Sequence, residues 1–353
     1  MRPSILAVST GNIGDLLACA PALRALSRHF GTKLTALTSP ATAALLPGHP
    51  AVAEVLVDDG TTEQARIIEA LRSREFSHAV VFWSTARNAR MVQRAGIPVR
   101  VGPAGRLYSW FRYTISLKMR ADSGDIRTHA SENLMDMARA LGARPQPEDF
   151  RIAIKVSAES ATAASALLSA LNVSGPFVAF KPVRGLRRGA HWPAATFAEI
   201  GDALGSEFGL PVVLVGSPDE VDAIEAIADR MRRPHAIAAG RTNLSTLEAL
   251  LSRATAFVGL DSGPAHIAAA LGVPTLAIFA MRTDLPQRWR PLGPRVAVVE
   301  PSYACPRGCR KETCRVFACC ASLDPALIAR RAVQLASTGP YEQPMLRPQE
   351  SHT

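Results

Sequence analysis

The sequence predicts an α/β protein built from two doubly wound parallel sheets in tandem, which face each other across a cleft. The chain has 353 residues, which is too long for one ordinary core and suits two domains. Short β-rich runs alternate with helical stretches, as in βαβ units. The alternation pauses at a proline-rich stretch around Pro145 and Pro147 and starts again at Phe177. Because ligands bind beyond the carboxyl ends of the strands in open α/β sheets, two such edges form one cleft.

The first half of the chain alternates strand and helix from its start. Its predicted strands span residues 5–8, 34–37, 55–57, 79–82, 99–102 and 151–154. Its predicted helices span residues 16–30, 63–72 and 131–141. Strands that are joined by helices run parallel, so these elements are expected to form the first sheet.

The second half repeats the pattern, with predicted strands at residues 177–180, 211–215, 256–258 and 275–279. Helices are predicted at residues 194–208, 220–231, 246–253 and 264–271. We therefore predict an N-terminal domain over residues 1–160, a linker over 161–175 and a C-terminal domain over 176–337. The last residues, 338–353, are rich in proline and polar types, and we expect a mobile tail there.

Charge and hydropathy restrict the partners. The chain has 40 Lys and Arg against 30 Asp and Glu, a formal charge of +10. This balance favours an anionic partner, namely a nucleotide, a phosphorylated lipid, an acidic membrane surface or a nucleic acid. No apolar run is long enough to span a bilayer. Asn12 and Asp15 interrupt the N-terminal apolar segment, which argues against a signal peptide, so we expect a cytoplasmic protein.

The cysteines are concentrated in one segment, residues 305–320. Five of the six lie there: Cys305, Cys309, Cys314, Cys319 and Cys320. Their spacing lacks the paired C-x-x-C halves of a zinc ribbon, and disulfides are not expected without a signal peptide. Two interpretations stay open, thiols packed in a loop and a bound metal, and no metal ligand is assigned.

A predicted strand-to-helix turn at residues 261–266 is typical of a phosphate site. Asp261 and Ser262 are N-cap residue types, Gly263 allows a tight backbone, and Pro264 suits the first helical position. The free backbone N–H groups and the positive end of the helix dipole stabilise an anion placed there. His266 lies in the first turn beside that point. The turn is therefore a candidate site for a diphosphate.

The first strand-to-helix turn of the chain contains Gly11, Asn12, Gly14 and Asp15. It lacks the third glycine of the dinucleotide fingerprint, so a nicotinamide enzyme is disfavoured. Asp15 has two interpretations. It can stabilise the dipole of its own helix, or it can accept a proton from an acceptor hydroxyl at the cleft edge.

Two further segments carry charge at places where ligands bind. The loop over residues 181–193, which includes Lys181, Arg184 and Arg188, is either a diphosphate-binding loop or a solvated basic loop. Glu220 either binds ribose hydroxyls or favours its own helix start. Residues 106–120 mix aromatic and cationic side chains, and a phosphorylated lipid acceptor, a membrane surface, nucleic acid and a plain basic surface loop all fit that pattern.

Several motifs together resemble those of glycosyltransferase family 9, the heptosyltransferases of lipopolysaccharide core assembly. They are Gly11-Asn12-Ile13-Gly14-Asp15 followed by Pro21-Ala22-Leu23, then His191-Trp192-Pro193, Val215-Gly216-Ser217-Pro218, and the run over residues 261–272; residues 100–102 and 129–134 also fall on comparable segments. The resemblance implies the GT-B type of fold with two Rossmann-like domains. It also implies that ADP-heptose binds mainly in the C-terminal domain, and that transfer inverts the anomeric centre without a metal or cofactor.

The resemblance also suggests roles for individual residues. Asp15 matches the general base, Glu220 matches a ribose contact, and Thr242 lies near the loop that borders the adenine. The matches to the sugar-diphosphate loop are Asp261, Ser262, Gly263 and His266, and the residues assigned to the acceptor are Gly11, Asn12 and Arg112. The chain departs from the family at Ala190, where a lysine usually faces the phosphates, and the candidate substitutes are Lys181, Arg184 and Arg188. A second departure is Ala280, where glycine commonly follows the phenylalanine.

The leading hypothesis is an inverting, metal-independent glycosyltransferase that moves heptose from ADP-heptose onto a lipopolysaccharide-type acceptor. The expected partners are the nucleotide-sugar donor and an anionic glycolipid, with contact at the inner face of the inner membrane as an open possibility and no nucleic acid. Two alternatives remain. One is transfer of another nucleotide-activated sugar, and the other is a non-catalytic protein of the same fold that binds a nucleotide-sugar or a polyanion.

Overall fold

The computed structural model describes residues 3–152, 154–184, 193–281, 284–303, 305–306, 309, 314 and 317–339. The strands in these residues are β1 (Ile5–Ser9), β2 (Leu34–Thr38), β3 (Val52–Val57), β4 (His78–Val81), β5 (Val99–Pro103), β6 (Ile115–Leu117), β7 (Val178–Lys181), β8 (Val212–Leu214), β9 (His235–Ile237), β10 (Ala256–Leu260), β11 (Thr275–Ile278) and β12 (Val296–Val299). The helices are α1 (Ile13–Phe30), α2 (Gln64–Arg72), α3 (Ala86–Arg94), α4 (Ser109–Arg112), α5 (Ala130–Arg139), α6 (Ala158–Ala170), α7 (Ala194–Phe208), α8 (Val221–Ala228), α9 (Leu244–Leu251), α10 (Gly263–Ala270), α11 (Pro286–Trp289), α12 (Ala318–Ala321) and α13 (Pro325–Ser337).

Both sheets have six strands and the same topology. The first has the order β3-β2-β1-β4-β5-β6 and the second the order β12-β11-β10-β7-β8-β9. All the pairings are parallel. In each sheet the strand order reverses beside the first strand, between β1 and β4 and between β7 and β10. Ligands bind at such reversal points, so the two points are where a site is expected.

The predicted strand over residues 151–154 is wrong, because residues 151, 152 and 154 have no strand structure. This segment contacts α1, where the Arg24 side chain donates to the Arg151 carbonyl at 2.9 Å. Ile152 and Ile154 pack against the core from there. The alternating apolar pattern therefore covers a helix and not a sheet.

The strand that completes the first sheet is β6. Sequence patterning missed this strand, and it also missed β9 and β12 in the second sheet. β6 is three residues long, lies at the sheet edge and is not fully buried, so it has no continuous apolar run. β9 is equally short and only half-buried. Three-residue edge strands leave too little hydrophobic pattern to separate them from loops.

Helices also form where none was predicted. α6 lies across the segment assigned to the end of the first domain and the linker, and Ser157 caps it by accepting a hydrogen bond from Ser160 N at 3.1 Å. Ala164 and Leu168 are its buried residues, and Arg253 donates to Ser165 Oγ at 2.6 Å. At the other end, α13 packs against α7 and ends at Ser337, and residues 340–353 lie outside the described residues. The domain boundaries themselves stay predictions.

The two halves share one hydrophobic cluster. It contains Ala7 and Leu16 from the first half and Phe257, Ala265 and Ile267 from the second, with α1 in contact with α10. The shared cluster fixes the first turns of α1 and α10 against one another.

In the part of the chain that the structure covers, no helix has both the length and the apolarity needed to cross a bilayer.

Candidate active site

The N-termini of two helices meet at the cleft between the sheets. α1 follows β1, and α10 follows β10, so each begins at a strand-order reversal. A Cβ on Gly14 would lie 3.1 Å from His266 Nε2, and one on Gly263 would lie 2.9 Å from Ile13 Cδ1. Glycine at these positions therefore allows the close approach of the two first turns.

The cleft at this junction has a volume of about 890 Å³, within the range of small-molecule sites. Its lining includes most of the residues expected from the sequence. Those are Asn12, Asp15, Lys181, Arg184, Glu220, Thr242, Asp261, Ser262, Gly263 and His266.

Asp15 lies in the first turn of α1, and the Asn12 backbone N–H donates to its Oδ2 at 2.9 Å. Burial raises the pKa of the Asp15 carboxyl, and the hydrogen bond from Asn12 opposes that rise. A raised pKa makes the carboxylate a better proton acceptor than an exposed aspartate. The side chain therefore has both the position and the basicity that a general base needs.

The turn before α10 brings charged and neutral groups together. Asp261 lies 3.9 Å from His266 Nε2 through Oδ1 and 3.7 Å from Arg184 Nη1 through Oδ2. Burial, and to a lesser extent the charge of His129, lowers the pKa of His266 to about 4. His266 is consequently a neutral imidazole at neutral pH.

Arg184 faces the cleft from the second sheet and is held by carboxylates. Its Nη1 donates to Asp284 Oδ2 at 3.0 Å, and that carboxylate also accepts from Met281 N at 3.3 Å. Asp284 and Asp261 therefore flank the guanidinium on the cleft wall. The Arg184 guanidinium remains a candidate for binding an anion next to the α10 N-terminus.

Lys181 and Glu220 form a buried ion pair on the floor of the cleft. The Nζ of Lys181, at the end of β7, lies 2.6 Å from Glu220 Oε2, and it also donates to the Val183 carbonyl. The same Glu220 oxygen accepts from Ser217 N and Oγ, each at 2.8 Å. Burial lowers the pKa of Lys181, although the charge of Glu220 opposes it. The two side chains thus bind each other.

Two of the predicted site residues that the structure describes do not line the cleft. Gly11 touches Asp15 but is not part of the cleft lining. Arg112 does not line the cleft, since its Nη1 donates to the Ala86 carbonyl at 2.8 Å and its guanidinium stacks 5.2 Å from the Phe111 ring centre. Arg188 lies outside the described residues, as does Ala190.

The structure also adds lining residues that sequence reasoning missed: Ser217, Asn243, Leu247, Asp284 and Trp289. Asp284 carried a usable signal, because it follows a predicted strand just as Asp261 does. Trp289 carried none, since it lies on the four-residue helix α11. Its place in the cleft depends only on how the chain folds back.

The cysteine segment packs against the second core. Cys319 and Cys320 are buried, and Cys305 and Cys314 contact the same cluster. Burial, with weaker contributions from Cys309 and Cys319, raises the pKa of Cys305 to about 11. Within the described residues no group of three or more Cys, His, Asp or Glu forms a metal site.

Comparison with known proteins identifies one family. The profile of glycosyltransferase family 9 (heptosyltransferase) matches residues 64–318. Lipopolysaccharide heptosyltransferase 2 of Escherichia coli is 25% identical over 293 residues, which cover 78% of this chain and 82% of that protein.

Two solved structures share the fold. A glycosyltransferase family 9 protein of Veillonella parvula superposes with a TM-score of 0.80 at 18% identity, covering 95% of this chain and 97% of that one. Escherichia coli ADP-heptose lipopolysaccharide heptosyltransferase II superposes with a TM-score of 0.77 at 21% identity, covering 94% and 98%. The predicted fold class, two doubly wound sheets of the GT-B type, is thereby confirmed.

Proposed function

The chain belongs to glycosyltransferase family 9, and from this premise we propose that it transfers heptose from ADP-heptose to a lipopolysaccharide-type acceptor with inversion and without a metal. One observation carries the proposal. Asp15 in the first turn of α1 and the first turn of α10 meet at the same cleft, from opposite sheets. A proton acceptor and an anion-binding helix start therefore lie within one site.

The donor half of the proposed site is on the second sheet. The diphosphate would bind the N-terminus of α10, where backbone N–H groups and the helix dipole favour negative charge. Arg184 at the cleft wall would add a charge-assisted hydrogen bond to the leaving diphosphate. Thr242 and Glu220 line the same cleft and are our candidates for the adenine and ribose ends.

The acceptor half is on the first sheet. An acceptor hydroxyl oxygen attacks the anomeric carbon, the bond from that carbon to the diphosphate oxygen breaks, and the hydroxyl proton goes to Asp15. A single displacement of this kind inverts the anomeric centre. The cations and helix dipoles of the protein supply the charge stabilisation that a metal gives in other transferases.

Substitution of the proposed base tests this mechanism. We expect Asp15→Asn to reduce heptose transfer by about 100-fold or more, while ADP still stabilises the protein against heat. Asp122→Asn, at an exposed carboxylate of the same half, is the matched control and should transfer normally. Unchanged transfer by Asp15→Asn would exclude it as the base. Because the proposed transfer needs no metal, EDTA should leave the activity of the wild type unreduced. NMR of the product should show an inverted anomeric configuration.

The donor is tested by binding. We expect ADP-heptose to raise the unfolding temperature more than UDP- or GDP-linked sugars do. Selective stabilisation by a UDP- or GDP-sugar would contradict the proposed donor and would favour transfer of another sugar by the same site.

We also propose that the enzyme contacts the cytoplasmic face of an anionic membrane through residues 106–112. Leu107 is 91% exposed and Trp110 77% exposed. Residues 86–120 contain eight Lys and Arg and no Asp or Glu. Exposed apolar side chains within a segment rich in cations are typical of proteins that bind anionic lipid surfaces.

Vesicle sedimentation tests the membrane contact. The protein should bind vesicles that contain phosphatidylglycerol, and high salt should weaken binding. The double variant Leu107→Ser with Trp110→Ser should bind less, whereas Tyr303→Ser, at an exposed aromatic of the second half, should bind normally. Equal binding by all three proteins would exclude this surface.

A further inference from the structure

Trp83 is a large aromatic side chain left exposed beside the proposed base. It follows β4, the strand next to β1, and 41% of its surface is accessible. A Cβ on Gly11 would lie 3.0 Å from Trp83 Cδ2 and 2.8 Å from Asp15 Oδ2. The indole and the Asp15 carboxylate thus pack against the same point of the Gly11 backbone.

The loop that carries Trp83 is held firmly. Buried Asn88 donates to the Trp83 carbonyl and to Thr10 Oγ1, both at 2.8 Å, which ties the two strand ends together. The next residue, Ser84, is bound to Tyr113 OH at 2.6 Å. The indole is therefore presented by a rigid backbone, and its exposure is not the result of a loose loop.

The position of Trp83 relative to the cleft is informative. Asp15 lines the cleft, whereas Trp83 and Gly11 do not. Asp15 is therefore common to the cleft and to the surface that carries the indole. A hydroxyl that gives its proton to Asp15 must reach this carboxylate, and the sugar ring that carries the hydroxyl can then contact the indole beside it.

We propose that Trp83 forms the floor of an acceptor subsite, on which the sugar ring that carries the attacking hydroxyl stacks. This inference rests on the proposed function for the identity of the reaction. A pyranose has an apolar face of C–H groups, and a flat, electron-rich indole binds such a face while its polar edge stays in water. Stacking would hold the ring at the height of the Asp15 carboxylate and aim the hydroxyl at the cleft.

The subsite also explains why residue 11 is glycine. Any side chain there would overlap both the indole and the carboxylate, and would separate the stacking surface from the base. Asn88 is a positioning residue in this arrangement, because it fixes the Trp83 backbone without facing the sugar.

The experiment compares binding and turnover of a delipidated core oligosaccharide, which removes any contribution from membrane contact. Calorimetry with ADP present measures its Kd for the wild type, Trp83→Ala, Trp83→Phe and Tyr303→Ala. We expect the Kd to rise about tenfold in Trp83→Ala and less in Trp83→Phe, which keeps an aromatic face. Tyr303→Ala removes an aromatic side chain of similar exposure, 43% against 41% for Trp83, on the second half of the chain and should bind normally. The KM for the acceptor should follow the Kd, with the KM for ADP-heptose unchanged.

The outcomes separate this inference from the proposed function. Unchanged oligosaccharide binding by Trp83→Ala overturns the subsite, as does a wild type that binds no oligosaccharide. If Trp83→Ala binds the oligosaccharide more weakly than the wild type does, but the wild type transfers no heptose, the subsite is supported and the proposed reaction is refuted. A rise in the KM for ADP-heptose equal to the rise for the acceptor would show a general disturbance of the cleft and would also overturn the subsite.

Discussion

Removing the Lys181 ammonium should destabilise the second half of the protein. Lys181 and Glu220 are 4% and 7% exposed, and their ion pair measures 2.6 Å. Removing one partner of such a buried pair costs about 3–5 kcal/mol, because the other charge stays buried without compensation. Ser217 still donates twice to Glu220, so we expect the low end, about 3 kcal/mol for Lys181→Met.

Thermal unfolding followed by circular dichroism measures this cost. A loss of about 3 kcal/mol corresponds to a fall in unfolding temperature of roughly 10 °C for a domain of this size. Adding Glu220→Gln to Lys181→Met removes the stranded charge and should restore most of the loss. Arg72→Met is the matched control. It breaks an ion pair of similar length, 2.8 Å, that is exposed to solvent, and should change stability by less than about 1 kcal/mol.

An unfolding temperature of Lys181→Met equal to that of the wild type would refute the buried pair. If the same variant bound ADP more weakly, Lys181 would instead point into the cleft and face the diphosphate. The experiment therefore also decides whether Lys181 pairs with Glu220 or faces the diphosphate. The second role would replace the lysine that the family has at the position of Ala190.

Three further outcomes are expected. Gly14→Ala places a methyl 3.1 Å from His266 Nε2 and should reduce transfer by about tenfold, because it displaces the first turns of α1 and α10. Gly175→Ala is the control and should transfer normally, because the added methyl has no neighbouring atom within 4 Å. Burial lowers the pKa of His129 and of His266 to about 4, so the unfolded chain takes up protons before the folded chain as the pH falls from 6.5 to 4. The free energy of unfolding, measured with urea, should therefore fall by up to about 3 kcal/mol per histidine over that window. Equal stability at pH 7 and pH 4.5 would contradict this expectation. Because burial raises the pKa of Asp15, kcat/KM for the acceptor should still be rising with pH above the ordinary carboxylate range, and a profile that is flat from pH 4 upward would exclude a titrating Asp15.

Much of the fold could be predicted from the chain because buried parallel strands leave a strong local signal. β1 and β10 are buried along their whole length, and the runs over residues 5–8 and 256–258 predicted them with only their ends misplaced. β6 was missed because three residues at a sheet edge carry too little apolar pattern, and the segment at residues 151–154 was misassigned for a different reason. Local patterning reports that one face is apolar, but it does not report whether a sheet or a helix covers that face.

The candidate site divides in the same way. Turn chemistry after a strand identified Asp15 and the residues 261–266, since capping types and glycines mark a helix start wherever it lies. The mix of aromatic and cationic side chains over residues 106–120 and the family resemblance placed Arg112 at the acceptor, but neither indicates that this guanidinium stacks on Phe111 outside the cleft. Long cationic side chains take their direction from neighbours that are remote in sequence.

The sequence by itself determined the two parallel sheets, the two strand-to-helix turns that line the cleft, and the family. These depend on residues close together along the chain, whose spacing sets strand, turn and cap. Only the tertiary structure decided that α1 and α10 meet at their first turns, that Lys181 is paired with Glu220, and that the Trp83 indole lies beside Asp15. Those contacts join segments 39 or more residues apart. Nothing in the local pattern specifies such partners, because they follow from how the packed layers bring the carboxyl ends of separate strands to one edge.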